Sequence, residues 1–464
     1  MEEESRELLR GFDTSRIFRS CSLPFVRVDR RHCNYVQSLF REHDILFKFP
    51  RVSPVVSDDK SEGSRVILMG EGLRRSYGSC NGKRMRMEAS GSDGYIIELS
   101  DDYYMRVPEG VFAGLNAVDI AEYGVMDFRI EYKYLSYVEC ARHCIPKGIE
   151  IVSSFETVGH IAHLNLNEES FKYRYVLGRI LLDKNPGIRT VVTKTGNIES
   201  TFRTYPLEVI AGENDLDARL KEQGIIYHIK IDQVYWNSRL SNERQRLVEL
   251  IPKKSVVFDL TCGVGAFTLP LVKIRDCRVY SNDLNPEAIK LLRHNILSNK
   301  LNERNVVTSQ KDCIECIHQV LDAGLDARRI FGLEEEDASP APELDSKDTF
   351  YWICNLPELS LNMLRGFVAH KQAYLDRKAG DVPRFKRTKN HFFFYCFSKD
   401  ADPMTDIKAR IFGFLEAGDA DSEREYFSPY GLSIHEVRDV SPNKKMYCSQ
   451  FSMDIPVLPD MASL

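Results

Sequence analysis

The chain has 464 residues, of which 43% are hydrophobic, and a formal net charge of −5 at pH 7. This length predicts two or three domains with separate cores, and the negative charge argues against a protein that coats nucleic acid indiscriminately. No apolar run approaches the roughly 20 residues that span a bilayer. The twelve cysteines form no disulfide framework, and the opening segment MEEESRELLRGFDTSR has the character of neither a signal nor a transit peptide. We therefore expect a cytoplasmic or nuclear protein without a membrane partner.

Residues 1–130 are predicted to form an independent α+β module. Val66–Met69 and Tyr95–Leu99 have the apolar, β-branched or aromatic character of strands. The segments 57–64 and 89–93 are rich in Ser, Gly and Asp, as loops are. The module contains no catalytic constellation.

Residues 131–233 are predicted to form a second α+β module, with a helix over residues 171–183 followed by strands that Gly turns separate. Basic stretches at 73–86, 171–206 and 371–399 suit a polyanion gripped at several points, although each is also typical of a solvated face. Several His and Cys residues lie close together in sequence, but none has a second ligand pair at a metal-binding spacing: Cys140, His143, Cys144, His160, His163, Cys313 and Cys316. The sequence predicts no metal site.

The segment VYWNSRLSNERQRLVELI is predicted to be a loop that turns into a helix. Glu243 falls in the first turn of this helix, where the helix dipole alone favours a carboxylate. Aromatic and guanidinium side chains crowd the same segment: Tyr235, Trp236, Arg239, Arg244 and Arg246. Such groups stack on an unstacked base and bind its phosphates.

Residues 234–464 are predicted to be a catalytic domain organised around the stretch 255–283, which has the pattern strand, glycine turn, helix, strand. Gly263 and Gly265 allow a tight turn and close approach of a ligand to the backbone. Asp283, about 20 residues beyond the glycines, is placed to accept the hydroxyls of a ribose. The pattern predicts a nucleoside site, although Thr268 replaces the third glycine of a dinucleotide fingerprint and the turn is also typical of an ordinary strand-to-helix connection.

Downstream of this stretch, further strands are predicted to complete the sheet. Residues 305–310 form a third strand, with Asp312 just beyond its end, and residues 350–357 form a buried strand that finishes in Asn-Leu-Pro. The acidic, proline-bearing segment at about 333–348 is predicted to be a disordered insertion. The segment IHEVRDVSPNKKMYCSQFSM is predicted to form a terminal antiparallel hairpin.

The strand ending in Asn355-Leu-Pro357 resembles the corresponding strand of class I S-adenosylmethionine methyltransferases. Six motifs occur in the same order as in the archaeal and eukaryotic tRNA guanine-N1 methyltransferases: HIAHLNL, LLDKNPGIRTVVTKTGNIESTFRTYPLEVIAGE, VYWNSRLSNER, SNDLNPEAIKLLRHNI, NLP and VRDVSPNKKMYC. The resemblance covers the chain from about residue 135 onward. It implies an α/β class I Rossmann-like methyltransferase domain preceded by two α+β modules.

The family resemblance implies roles for five residues at the reacting base, the guanine that follows the anticodon. Glu243 matches the general base that removes the N1 proton, and Arg203 matches the cation that stabilises charge on O6. Asn355 and Pro357 match the loop that frames the flipped base, and Tyr235 matches an aromatic lining.

On the cofactor side, the resemblance implies that S-adenosylmethionine is bound by Arg244, Gly263, Gly265, Asp283, Leu284, Asp312, Cys313 and Asn355, with Asp259 supporting the turn. The partner it implies is tRNA, contacted at the anticodon stem-loop and, through the first module, at the outer corner. Because one chain carries a complete set of site residues, we expect a monomer.

Two other functions are open at this point. A related enzyme of the wybutosine pathway shares the middle module and the core but transfers an aminocarboxypropyl group from the same cofactor. A non-catalytic RNA-binding relative would keep the fold alone. Glu243 and Arg203 favour the methyltransferase.

Overall fold

The chain folds into two compact units. The first comprises Met1–Ser153 and Leu166–Pro186, and the second comprises Ser154–Asn165 and Gly187–Leu464. The structure, a computed structural model, describes residues 2–76, 95–99, 103–118, 120–196, 202–332, 349–377, 386–415 and 431–457. The predicted insertion at 333–348 and the predicted loop at 89–93 lie outside these residues. The boundaries predicted at residues 130 and 233 remain predictions.

The described residues of the first unit form two antiparallel sheets and six α-helices. One sheet has the strand order β2-β3-β1-β7 and the other has the order β4-β6-β5. The strands are β1 (Phe18–Asp29), β2 (Val55–Ser57), β3 (Ser64–Leu68), β4 (Arg74–Ser76), β5 (Tyr95–Glu98), β6 (Tyr103–Val107) and β7 (Ile120–Glu131). The helices are α1 (Glu2–Arg10), α2 (Cys33–Glu42), α3 (Glu109–Asn116), α4 (Tyr137–Cys144), α5 (Glu168–Phe171) and α6 (Arg174–Lys184). Strands β3 and β5 confirm the two strands predicted in this region.

One apolar face of helix α2 packs into the core of the first unit. Val36 and Phe40 lie four residues apart in α2, so they share one face of the helix, and both are fully buried. They pack in one cluster with Ile67 of β3 and Met105 of β6. The helix predicted over residues 171–183 begins later, at Arg174, because α5 ends at Phe171 and Tyr173 lies outside the helical conformation.

The second unit begins with two small sheets. Strands β8 (Phe155–Val158), β9 (Ile161–Leu164), β10 (Thr190–Lys194) and β11 (Leu207–Gly212) form a four-stranded sheet in which only β9 and β10 are parallel. Strands β12 (Asp217–Glu222) and β13 (Ile225–Lys230) form an antiparallel hairpin around Gly224, whose φ of 77° suits a residue without Cβ.

A seven-stranded sheet with the order β16-β15-β14-β17-β18-β20-β19 forms the rest of the second unit. Its strands are β14 (Val256–Asp259), β15 (Arg278–Asn282), β16 (Val306–Ser309), β17 (Thr349–Cys354), β18 (Lys386–Ser398), β19 (Ser433–Ser441) and β20 (Lys444–Val457). The first five strands in this order are parallel, whereas β20 runs antiparallel to both of its neighbours. This is the predicted class I methyltransferase sheet with its terminal hairpin.

Helices cover both faces of this sheet. They are α7 (Ser241–Leu250), α8 (Thr268–Arg275), α9 (Pro286–Ser298), α10 (Cys313–Asp322), α11 (Ala327–Phe331), α12 (Leu364–Arg377) and α13 (Pro403–Leu415). The strands are therefore apolar on both sides, and Phe258, Trp352 and Phe392 stack through the centre. The indole N–H of Trp352 donates to Asn390 Oδ1, which satisfies the polar atom of that core.

The connectivity of the large sheet creates its crevice. Strand β14 lies between β15 and β17, so the chain leaves it in one direction along the sheet and returns on the other side. Ligands bind outside the carboxyl ends of the strands at such a reversal. Within the described residues, the longest apolar helices are too short or too polar to cross a bilayer.

Candidate active site

The turn after β14 contains the two glycines that the sequence singled out. Gly263 and Gly265 have φ values of 54° and 97°, in the left-handed region. A Cβ on Gly265 would come within 2.8 Å of side-chain atoms of Leu269 and Leu292, whereas a Cβ on Gly263 would meet no atom within 4 Å. Gly265 therefore allows close packing against two helices, and Gly263 leaves the backbone open at the end of the strand.

Asp283, at the end of β15, is tied to this turn. Its Oδ2 accepts a hydrogen bond from the Gly263 N–H at 2.8 Å, and its Oδ1 accepts one from the Asn285 N–H at 2.9 Å. Because a carboxylate has about four acceptor positions, Asp283 retains capacity for hydroxyl donors. Burial raises the pKa of Asp283, and the two backbone N–H groups oppose this shift.

Asp259, at the end of β14, lies beneath the turn and is fully buried. Its Oδ2 accepts from the hydroxyl of Thr268, which in turn lies 2.9 Å from the hydroxyl of Ser281. Thr268, which stands where a dinucleotide fingerprint has its third glycine, thus links β14 and β15 to α8. Burial raises the pKa of Asp259 to about 7.

Further residues that the family resemblance assigns to the cofactor lie after the ends of β15 and β16. Asp312 is the N-cap of α10 and accepts the N–H of Ile314, and the thiol of Cys313 donates to the carbonyl of Leu260 at 3.3 Å. Leu284 remains 42% exposed. The buried Asn282, which the sequence reasoning missed, fixes this corner because its amide bonds the backbone of Leu260 and of Lys311.

Asn355 connects the other side of the crevice to the glycine turn. Its backbone N–H donates to the Thr261 hydroxyl at 2.8 Å, which joins the end of β17 to the end of β14. Pro357 is buried two residues further on. The structure therefore brings the Asn-Leu-Pro loop, the glycine turn and Asp283 to one edge of the sheet.

Arg244 is buried in a cluster of its own. Its guanidinium makes a bidentate pair with Glu222 of β12 at 2.6 and 2.7 Å and lies 4.6 Å from the ring centre of Trp236. Its Nη1 also donates to the carbonyl of Asn237. Arg244 therefore links the β12–β13 hairpin to the start of α7. Its contact with the cofactor remains a prediction.

Glu243 is buried, with 5% of its side chain exposed, and both of its oxygens are engaged. Arg246 donates to Oε2 and to Oε1 at 2.7 Å, and the Tyr395 hydroxyl donates to Oε1 at 2.8 Å. Burial raises the pKa of Tyr395 far above its usual value, and the nearby Cys448 and the carboxylate of Glu243 raise it further, so the Tyr395 hydroxyl remains a donor. His435 Nε2 lies 3.5 Å from Oε2.

Sequence reasoning missed Tyr395 and His435 as neighbours of Glu243. Tyr395 carries the only hydroxyl in the apolar strand HFFFYCF, and this isolated polar atom was a signal. Arg246 follows Glu243 by three residues, a spacing that pairs side chains on a helix. No local signal marks His435.

Arg203 lies beside the Asn-Leu-Pro loop. Its Nη2 is 2.8 Å from Glu358, the residue that follows Pro357, and Glu358 is also 3.5 Å from the Lys444 ammonium. Arg203 has a φ of 60° and 23% of its side chain is exposed. Glu358 was not predicted, although its position directly after the motif was a signal.

Tyr235 is exposed, and its hydroxyl accepts a hydrogen bond from the amide of Asn237 at 3.2 Å. Tyr205 interacts electrostatically with both Tyr235 and Arg203. Burial raises the pKa of Tyr205, the nearby Tyr235 raises it further, and Arg203 opposes the shift. The structure thus places the aromatic Tyr235 in the same neighbourhood as Arg203.

These residues fit an adenosyl cofactor. The open backbone at Gly263 admits a close approach, and the remaining acceptor positions of Asp283 suit ribose hydroxyls. Among the described residues, no group of three His, Cys, Asp or Glu side chains has the geometry of a metal site.

Comparison with known proteins agrees with the observed fold. Residues 218–329 match the model of the TRM5/TYW2 methyltransferase domain, and residues 142–215 match that of the TYW2 N-terminal domain. The fold is similar to that of Trm5b from Pyrococcus abyssi, with a TM-score of 0.52, 20% identity and coverage of 93% of this chain and 99% of that one. It is also similar to the aTrm5 chain of a complex with tRNALeu, with a TM-score of 0.55, 20% identity and the same coverage.

Relatives named tRNA (guanine(37)-N(1))-methyltransferase match most of the chain. The protein of Xenopus tropicalis is 36% identical over 72% of this chain, and the chain spans 61% of that protein's length. The protein of Phytophthora infestans is 36% identical over 92% of this chain and 88% of its own length. The chain therefore belongs to the tRNA (guanine(37)-N(1))-methyltransferase family.

Proposed function

We propose that the protein transfers the methyl group of S-adenosylmethionine to N1 of guanine 37, the base 3′ of the tRNA anticodon. The observation that carries this proposal is the 36% identity, across 92% of the chain, to a relative of that name. The class I sheet and its crevice support it, because they supply a nucleoside site at the edge where Asn355 and Asp283 meet the glycine turn.

The reaction requires a base, because guanine N1 carries a proton and is a poor nucleophile until that proton is removed. Glu243 is the proposed base. Arg246 and Tyr395 hold its carboxylate in one orientation, so little reorganisation is needed when the base arrives. A Gln at this position would keep the shape and lose the acceptor.

Arg203 is proposed to stabilise the charge that develops on O6 as the N1 proton leaves. A fixed cation directed at developing charge lowers the transition state more than the ground state. Guanidinium has five N–H donors, so the pair with Glu358 leaves others for a ligand. Tyr235, Asn355 and Pro357 are proposed to frame the flipped base beside this cation.

The bound cofactor supplies an electrophilic methyl group on a sulfonium ion. We propose that Asp283 binds its ribose hydroxyls, that the backbone of Gly263 and Gly265 approaches it closely, and that Asp259 supports this turn from below. The remaining proposed contacts are Arg244, Leu284, Asp312, Cys313 and Asn355. No metal ion is needed, because these groups position and orient the reactants.

The proposed partner is tRNA. Residues 131–233 would contact the anticodon stem-loop and residues 1–130 the outer corner, with one chain acting as a monomer in the cytoplasm or nucleus. Sedimentation of the protein with and without tRNA measures the stoichiometry, and a complex with two protein chains would contradict the monomer.

Mass spectrometry of nucleosides tests the proposed activity. Transcript tRNA with guanine 37 is incubated with protein and S-adenosylmethionine, and the matched control carries adenine 37. We expect 1-methylguanosine from the first transcript alone. Absence of 1-methylguanosine from the first transcript, with folded protein and bound tRNA, would reject the proposal.

A second candidate is the aminocarboxypropyl transferase of the wybutosine pathway. The match of residues 142–215 to the TYW2 N-terminal domain favours it. Cofactor labelled separately in the methyl and in the aminocarboxypropyl carbons distinguishes the two reactions. Methyl label in the RNA supports the methyltransferase, and aminocarboxypropyl label supports the alternative.

A further inference from the structure

The buried carboxylate of Glu243 faces one partly exposed imidazole. His435, on the edge strand β19, has 42% of its side chain exposed, and its Nε2 lies 3.5 Å from Glu243 Oε2. Oε2 accepts one hydrogen bond, from Arg246, whereas Oε1 accepts two. His435 therefore lies between solvent and Oε2 of Glu243, the oxygen that accepts fewer hydrogen bonds.

This arrangement makes Glu243 a poor final location for a proton. Both oxygens accept charge-assisted or buried hydrogen bonds, and a protonated acid would weaken at least one of them. Although burial lowers the pKa of Arg246, its hydrogen bonds to Glu243 raise it above its ordinary value, so the guanidinium remains charged beside the carboxylate. A proton taken from the substrate is more stable on a neighbouring group.

We propose that His435 receives the proton that Glu243 removes from guanine N1 and passes it to solvent, an inference that rests on the proposed function. In the first step the N1–H bond breaks, its electron pair stays on the purine, and the proton binds Oε2 of Glu243. In the second step this proton moves to Nε2 of neutral His435, which forms an imidazolium and restores the carboxylate. The imidazolium then loses a proton to water through its exposed edge.

Four elements supply the titratable groups around His435. Helix α7 contributes Glu243 and Arg246, strand β18 contributes Tyr395, and strand β20 contributes Cys448, which lies directly opposite His435. Burial raises the pKa of the Cys448 thiol well above its usual value, so Cys448 and Tyr395 are both uncharged at neutral pH. On its own strand, Glu436 pairs with Lys445, and Arg438 donates to Asn237.

Proton transfer to His435 shifts the first step, the transfer of the N1 proton from guanine to Glu243, toward the deprotonated purine. An imidazole is ordinarily a stronger base than a carboxylate, so transfer of the proton to histidine leaves Glu243 ionised and opposes return of the proton to the purine. The exposed ring also gives the proton a path to water that a buried carboxylate lacks. His435 acts through Glu243 and does not contact the purine.

His435→Ala tests the relay in single-turnover methyl transfer to tRNA with guanine 37. The matched control is His294→Ala, which removes an exposed histidine of α9 outside the site. We expect a loss of about 100-fold for His435→Ala, because a positioned proton-transfer group typically contributes at least that much, and we expect added imidazole to restore the rate in proportion to its concentration. Thermal melting checks that both variants are folded.

The pH profile provides a second readout. Only a neutral imidazole accepts a proton, so the wild-type rate should rise with pH. The His435→Ala profile should lack this rise. A structural role for His435 would lower the rate without changing the profile.

Three results would overturn the relay. His435→Ala could retain the wild-type rate, it could lose activity that imidazole does not restore, or Glu243→Gln could remain active while His435 is intact, which would make the imidazole the direct base. Failure of the relay can be told apart from failure of the proposed function. If the proposed function is wrong, the wild-type protein forms no 1-methylguanosine in the same assay.

Discussion

The two halves of the candidate site are built from different interactions. On the proposed cofactor side, carboxylates bind backbone N–H groups and a hydroxyl of the turns and helix starts that follow the strands, as Asp283 and Asp259 do. On the side of the base, charged groups bind one another, as Glu243 does with Arg246 and Arg203 with Glu358. The cofactor half is therefore fixed by the sheet, whereas the base half is fixed by ion pairs that a ligand can rearrange.

The largest expected effect falls on the base half. Glu243→Gln should lower the single-turnover rate about 10³-fold, because general base catalysis typically contributes 10²- to 10⁴-fold. Affinity for tRNA, measured by filter binding at fixed salt, should change little. Retention of more than a tenth of the rate would remove Glu243 from the role of base.

Arg203→Ala should lower the rate about 10²-fold, because loss of one donor to a developing oxyanion typically costs that much. Glu358→Gln is the matched control, since it removes the charge that Arg203 binds without shortening the side chain. We expect the control to retain the wild-type rate or exceed it slightly, because an ion pair this exposed contributes at most about 1 kcal/mol. Equal losses in both variants would show that the pair itself, and not Arg203, is required.

Asp283→Ala addresses the cofactor half. It removes the acceptor of two backbone hydrogen bonds and of the proposed ribose contact, and should weaken binding of S-adenosylmethionine about 10-fold or more. Calorimetric titration of the protein without tRNA measures this directly. Unchanged affinity would mean that the ribose binds elsewhere.

The smallest expected effect is a change in the pH dependence of stability. The pKa of Asp259 is raised to about 7 from an ordinary value of 3.8, so the folded protein binds this proton more tightly than the unfolded chain. The contribution of Asp259 to the free energy of unfolding therefore falls as the pH rises from about 4 to about 7. Asp259→Asn should remove this fall, by a few kcal/mol at most, in urea unfolding at pH 5 and pH 8. Parallel pH profiles for the two proteins would contradict the raised pKa.

The difference between the two halves also explains what the sequence could predict. The glycine turn and Asp283 belong to one short stretch, and the hydrogen bond between them spans 20 residues. Strand ends and helix caps of this kind follow from local patterns, which is why Gly263, Asp283 and the N-cap Asp312 were recognisable.

The environment of Glu243 was not predictable in the same way. Its partner Tyr395 is 152 residues away along the chain, and the register of β18 against β20 brings Cys448 opposite Tyr395. Sequence periodicity identifies a buried strand but not which of its side chains faces a particular helix. The family resemblance supplied a role for Glu243 and helical spacing points to Arg246, but only the fold revealed that Tyr395 and His435 also lie beside Glu243.

The left-handed backbone of Arg203 has a consequence for the evolution of the protein. A residue with Cβ costs about 1–2 kcal/mol in this conformation, and glycine costs nearly nothing. A screen that rewards heat resistance alone would therefore accumulate Arg203→Gly and discard the proposed oxyanion donor. Under the proposed role of Arg203, stability and activity therefore favour different residues at this position.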